Sequence, residues 1–189
     1  MLNPNATAQA LEMISSQERA RYDDSPPVRR ETFLAGRLVL RRLAAELTGL
    51  APAEVDLVAV CPDCGGPHGK PVIPGSGLHL SLSHSSDAVV AAASWDARVG
   101  VDLETGEHSA RAIAAIGAIT GDPTLASWTR VEATLKADGR GLRVDPRQVT
   151  VMPVADHLES SVVDRPDRYR LDDVELAPGI LVSVAVARL

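Results

Sequence analysis

Residues 78 to 83 read Leu-His-Leu-Ser-Leu-Ser, an uninterrupted alternation with a period of two. Only an extended strand sets Leu78, Leu80 and Leu82 on one face and His79, Ser81 and Ser83 on the other, because a helix would scatter both sets. Such a strand needs partners and an apolar cover. Val89 to Ser94 reads as a second, more buried strand, and a turn at Trp95 to Arg98 leads into a third at Val99 to Leu103, so these two are expected to form a hairpin. Upstream, Val55 to Val60 reads as a short strand, followed by a loop rich in Gly, Pro and Cys that ends in Gly69-Lys70-Pro71. Helices supply the cover. The spacing predicts one helix over residues 6 to 22 and another opened by Ser25, Pro26 and Pro27. The second carries Phe33, Leu34, Leu38, Leu40, Leu43, Ala44 and Leu47, stops at Gly49, and has a basic face of Arg30, Arg37 and Arg41.

The second half repeats this order in outline. A helix from Leu125 to Asp138, closed by Gly139, precedes strands at Val149 to Val154, Tyr169 to Val174 and Ile180 to Ala187. The order of elements repeats without residue-by-residue identity. The expectation is therefore an α+β protein of two pseudo-symmetric halves, 1–98 and 99–189, each a helix packed on a small, mainly antiparallel sheet.

With 189 residues, 45% of them hydrophobic, the chain can bury a core without disulfide staples, which excludes the disordered and fibrous classes. Its formal net charge of −6 argues against a protein that holds nucleic acid or an anionic membrane through its overall field. An anionic ligand must be met by a local site. No apolar run approaches the ~20 residues of a membrane span, and no charged start with an apolar stretch opens the chain, so the expected location is the cytoplasm. Of the 19 basic residues only Lys70 and Lys136 are lysines.

Asp102-Leu103-Glu104 sets two carboxylates on one side of a strand end, an arrangement that suits Mg²⁺, although two solvated surface acids would look the same. Glu132 and Lys136 lie four apart on a helix, with Trp128 one turn earlier. They fit an ordinary ion pair worth ~0.2–0.5 kcal/mol, or a carboxylate base beside a cation facing phosphate. Ser83-His84 lacks the Gly-x-Ser-x-Gly elbow of a hydrolase, and a histidine at a strand end beside hydroxyls suits a phosphate instead. Gly69-Lys70-Pro71 is not a Walker loop, since Pro71 stands where Ser or Thr must be. Cys61, Cys64 and His68 have zinc-ligand spacing, and His79 is a candidate fourth ligand. Without a second Cys-x-x-Cys, the segment reads preferentially as a tight turn that positions Lys70.

Taken in order, Gly69-Lys70-Pro71, Leu82-Ser83-His84-Ser85, Val99-Gly100-Val101-Asp102-Leu103-Glu104 and Trp128-x-x-x-Glu132-Ala133-x-x-Lys136-x-x-Gly139-x-Gly141-Leu142 resemble the motif set of the 4′-phosphopantetheinyl transferases. The chain is more similar to the surfactin-synthetase-activating type, a single chain of two halves with the active site at their interface, than to the short trimeric holo-acyl-carrier-protein synthases. The resemblance implies transfer of the phosphopantetheine arm of coenzyme A to a serine of an apo acyl, peptidyl or polyketide carrier protein, with release of adenosine 3′,5′-bisphosphate. It implies Mg²⁺ held by Asp102, Glu104 and Glu132, with Glu132 also taking the serine proton and Lys136 facing the leaving phosphate. Arg19, Gly69, Lys70, Ser83 and His84 match positions around the adenosine phosphates. A monomer with no nucleic-acid or membrane partner is expected. Two departures stand out. Val131 replaces the family's usual basic residue, and the stretch from Thr105 to Ser127 lacks the aromatic and acidic pattern of relatives. The alternative is a catalytically silent protein of the same fold that binds coenzyme A or a carrier.

Overall fold

Ser15 divides the first helical stretch in two. The computed structural model, which describes residues 2–188, has α1 at Pro4–Met13 and α2 at Ser16–Asp24. The Ser15 side chain accepts from the Glu18 amide at 3.2 Å and the Glu18 carboxylate accepts from the Ser15 amide at 2.9 Å. This capping box satisfies two otherwise orphaned donors and starts a new helix where apolar spacing alone would continue the old one. The chain divides between Trp95 and Asp96 into two compact units.

In the first unit, α3 (Pro27–Thr48) opens on Pro27 and closes at Gly49, whose φ of 75° lets its amide reach the Ala45 carbonyl at 2.9 Å. Ser25 does not cap α3. It ends α2 instead, its hydroxyl donating to the Arg21 carbonyl at 2.7 Å. Helix α3 packs on an antiparallel pair, β1 (His79–His84) and β2 (Val89–Ser94), with Gly36 against Leu82. Leu40, Ala44, Val55, Leu57, Leu78 and Leu80 form the core, and Ala10, Leu34 and Leu38 tie α1 to α3. Ser81 and Ser83 are buried too, so neither face of β1 is solvated. Val55 to Val60 is not a strand: Val58 makes a single antiparallel bridge to Val72, which bridges His79.

In the second unit, β3 (Val99–Thr105), β4 (Val149–Val154), β5 (His157–Val162), β6 (Arg168–Ala177) and β7 (Ile180–Ala187) form an antiparallel sheet in the order β3-β7-β6-β5-β4. The expected hairpin of β2 with β3 is therefore absent. Strand β3 instead pairs with β7 in unbroken register from Val99↔Val186 to Thr105↔Ile180. That long apolar ladder outweighs the local turn at Trp95 to Arg98. Helices α4 (Ala110–Thr120) and α5 (Leu125–Asp138) follow β3. Ser109 and Thr124 cap their N-termini, and Gly121 and Gly139 close them in the left-handed region. Val131, Ala133, Leu135 and Ala137 of α5 pack with Val162, Tyr169, Leu171 and Ala185. The fold is thus α+β with antiparallel sheets. Among the described residues no helix is long and apolar enough to cross a membrane.

Candidate functional site

Gly100 determines how closely α5 approaches β3. A Cβ there would lie 2.0 Å from the Ala133 carbonyl oxygen and 2.4 Å from the Ala137 nitrogen, so only glycine permits the two backbones to meet. Gly100, Asp102 and Glu104 share one side of the strand, and the next two positions therefore bring carboxylates to the same helix. The Lys136 ammonium donates to Asp102 Oδ1 at 2.6 Å. Glu132 lies one turn before Lys136, and Glu104 pairs with His108 at 3.2 Å. Opposite Asp102 in the sheet, Ser183 shares a buried hydroxyl contact of 2.8 Å with Thr129 of α5 and donates to Asp173 at 2.7 Å. Arg130 holds Asp173 in turn.

The charges on this face are unevenly balanced. Burial pushes the Glu132 carboxyl above the usual range and Asp102 and Glu104 push it further, against the pull of Lys136. Burial likewise raises Glu104, with Asp102 adding to the shift and His108 and Lys136 opposing it. Three carboxylates that repel one another in a half-buried place form a hard-oxygen donor set, and a divalent cation would relieve that repulsion. The oxygen chemistry suits Mg²⁺, but the ligand atoms of Asp102, Glu104 and Glu132 do not all lie within 4.8 Å of one another, so the three are neighbours and not a closed ligand set.

The first-unit residues fall into two groups. His84, at the exposed end of β1, lines a cleft of about 940 Å³ together with Ser85, Ser86, Arg21, Arg29 and Arg37. Lys70, Ser83 and Arg19 are not in its lining. Lys70 follows Gly69, where a Cβ would lie 2.0 Å from the Val60 carbonyl oxygen; Ser83 is buried in β1. Arg19 is exposed, donating to the Leu11 carbonyl at 3.4 Å and standing 3.8 Å from Asp23. Arg21 takes the cleft position that sequence reading gave no role. It donates to the Pro67 carbonyl at 2.5 Å, and its guanidinium lies 5.2 Å from the Phe33 ring, with Arg37 at 5.1 Å from the same ring. Burial lowers the pKa of both arginines, while Glu18 opposes the shift. Glu18 is itself buried. It accepts a forked pair from Arg41 at 3.2 and 2.6 Å, and Arg37 Nε stands 3.1 Å away without the alignment of a hydrogen bond. Phe33, the chain's single phenylalanine, was the available signal for Arg21. A ring on α3 offers a face to cations on the neighbouring helix.

Among the described residues, the three metal-ligating side chains whose ligand atoms all lie within 4.8 Å of one another are Cys61, Cys64 and His68. His79 is not part of that group.

No family model matches the chain. It is similar to the holo-[acyl-carrier-protein] synthase of Geobacillus kaustophilus (strain HTA426), at 33% identity over 89 residues, which covers 42% of this chain and 64% of that protein. The chain thus spans under two thirds of the length of the curated relative it matches.

Proposed function

We propose that this protein is a Mg²⁺-dependent 4′-phosphopantetheinyl transferase of the surfactin-synthetase-activating type, working as a cytoplasmic monomer on acyl, peptidyl or polyketide carrier domains. The observation that supports the reading is the 2.6 Å bond of Lys136 to Asp102 where α5 closely approaches β3 at Gly100, with Glu132 one turn before Lys136 and Glu104 two residues after Asp102. The similarity to a holo-[acyl-carrier-protein] synthase supports the class of reaction.

In this reading, Asp102, Glu104 and Glu132 would hold Mg²⁺, which supplies charge neutralisation for the coenzyme A pyrophosphate when bound. Glu132 accepts the proton of the carrier serine as its oxygen forms a bond to the phosphorus that bears the pantetheine arm. The bond from that phosphorus to the bridging pyrophosphate oxygen breaks, and adenosine 3′,5′-bisphosphate leaves with the electron pair. Lys136 meets the negative charge on the departing phosphate with a compact ammonium. In the first unit, the resemblance assigns Arg19, Gly69, Lys70, Ser83 and His84 to the adenosine phosphates; of these, His84 lines the arginine cleft. Arg21, Arg29 and Arg37 in one cleft would let a chain of acidic balance meet an anion locally.

Glu132→Gln tests the assignment, since it removes a charge and a base while keeping shape. Calorimetry should find coenzyme A binding retained while transfer is lost, by at least the ~100-fold that a general base contributes. Unchanged turnover would contradict the role of Glu132.

A further inference from the structure

We propose that Cys61, Cys64 and His68 bind one zinc ion that clamps the loop between Val60 and Lys70. The inference does not rest on the transferase reading. The two sulfurs and the imidazole nitrogen all lie within 4.8 Å of one another, and Cys64 Sγ is 3.0 Å from His68 Nε2. Tetrahedral zinc, with bonds of about 2.3 Å to sulfur and 2.0 Å to nitrogen, places neighbouring ligands about 3.6 Å apart. One ion therefore reaches all three with adjustments on the order of 1 Å.

The backbone is already arranged to present the ligands. The Gly66 amide donates to Cys64 Sγ at 3.4 Å. Two further bonds close the turn: Gly65 N–H to the Cys61 carbonyl at 2.9 Å and Cys61 N–H to the Gly66 carbonyl at 2.8 Å. N–H groups aimed at sulfur stabilise thiolates, the form in which cysteine binds metal. Two thiolates and an imidazole select zinc over Mg²⁺ or Ca²⁺, which take oxygen ligands. Cys61 is buried while Cys64 and His68 are exposed, so the fourth position would face solvent.

The loop is tied into the arginine cleft. Pro67 lines it and its carbonyl accepts from Arg21, and the Gly69 amide, immediately before Lys70, donates to the Ala59 carbonyl at 2.9 Å. A zinc clamp would hold Pro67 and Lys70 in place without lying in the cleft itself. The tight turn that the glycines and prolines predict is then the scaffold of a metal site.

The test uses the full chain, produced with added zinc and purified reduced and free of chelator. Elemental analysis should find about one zinc per chain, and Co²⁺ replacement should give the thiolate-to-metal charge-transfer band of a tetrahedral sulfur site. Cys64→Ser and His68→Ala, both exposed positions, should keep the far-ultraviolet dichroism of the parent. They should lose zinc affinity by more than about tenfold, since even an outer partner is worth that much. Chelation should lower the melting temperature of the parent and leave that of Cys64→Ser unchanged. A parent that shows no thiolate–cobalt band, or variants that hold zinc as tightly as the parent, would overturn the proposal.

Discussion

Gly100→Ala is the sharpest probe of the contact between α5 and β3. The added methyl would lie 2.0 Å from the Ala133 carbonyl oxygen and 2.4 Å from the Ala137 nitrogen, and separations under 3.0 Å are essentially never seen. Both atoms are backbone, so no rotamer change relieves the clash; the helix must retreat by at least 1 Å, from 2.0 to 3.0 Å. Lys136 stands on the displaced turn, and its 2.6 Å bond to Asp102 would lengthen past hydrogen-bonding distance unless the side chain follows. Overpacking of this kind costs about 1–3 kcal/mol, offset by about 0.4–1 kcal/mol from the stiffer unfolded chain. A misplacement on the order of 1 Å lowers transfer by about 100-fold. Denaturant unfolding and the initial rate of carrier modification read the two effects separately. Gly36→Ala is the control, because its nearest neighbour at 2.9 Å is the flexible end of Leu82, which can rotate away. A Gly100→Ala protein with parental stability and parental transfer would refute the reasoning, and parental transfer in a destabilised protein would refute the link from packing to catalysis.

Other substitutions separate charge from shape. Because burial and Asp102 raise Glu132 in the folded state, stability falls as pH rises from 4.5, its ordinary value, through the raised value, and the full penalty applies above that. In metal-free buffer at neutral pH, Glu132→Gln should therefore melt higher than the parent, with the two curves converging below 4.5; a lower melting point at neutral pH would contradict the charge balance. Glu18→Gln keeps the capping geometry but leaves Arg37 and Arg41 buried without their carboxylate, so urea unfolding should show a loss of about 3–5 kcal/mol. An unchanged midpoint would mean that the buried pair does not stabilise the unit. His84→Ala should weaken coenzyme A binding and weaken 3′-dephospho-coenzyme A binding less, as read by calorimetry. Equal losses would place His84 away from the 3′-phosphate.

What the chain reveals in its residues depends on the range of the interaction. Local signals located α5 from Leu125 to Gly139, the end of α3 at Gly49, and the strand ending at His84. The break at Ser15 was also written locally, in Ser15 and Glu18, but apolar periodicity across it masked the capping box. Strand β5, His-Leu-Glu-Ser-Ser-Val, escaped notice because Ser160 and Ser161 weaken its apolar face, and only in the fold does Ser160 find Thr134 at 2.6 Å. Helix α4 lies in an Ala-rich and Ile-rich stretch whose start depends on the single cap Ser109. The pairing of β3 with β7 joins residues some eighty positions apart, which no local pattern encodes. At the site, spacing put Asp102 beside Glu104 and Glu132 beside Lys136, while the link between the pairs comes from Gly100, a residue with no side chain to read. Arg21 and Arg29 were lost among seventeen arginines, because nothing in their spacing distinguishes a cleft from a solvated helix face.

Intact-protein mass spectrometry of an apo carrier domain, incubated with this protein, coenzyme A and Mg²⁺, bears most directly on the proposed transfer. The carrier should gain the mass of one phosphopantetheine arm, and EDTA should abolish the gain. No gain across acyl, peptidyl and polyketide carriers, by a protein that still binds coenzyme A in calorimetry, would contradict that transfer and favour a silent binding protein.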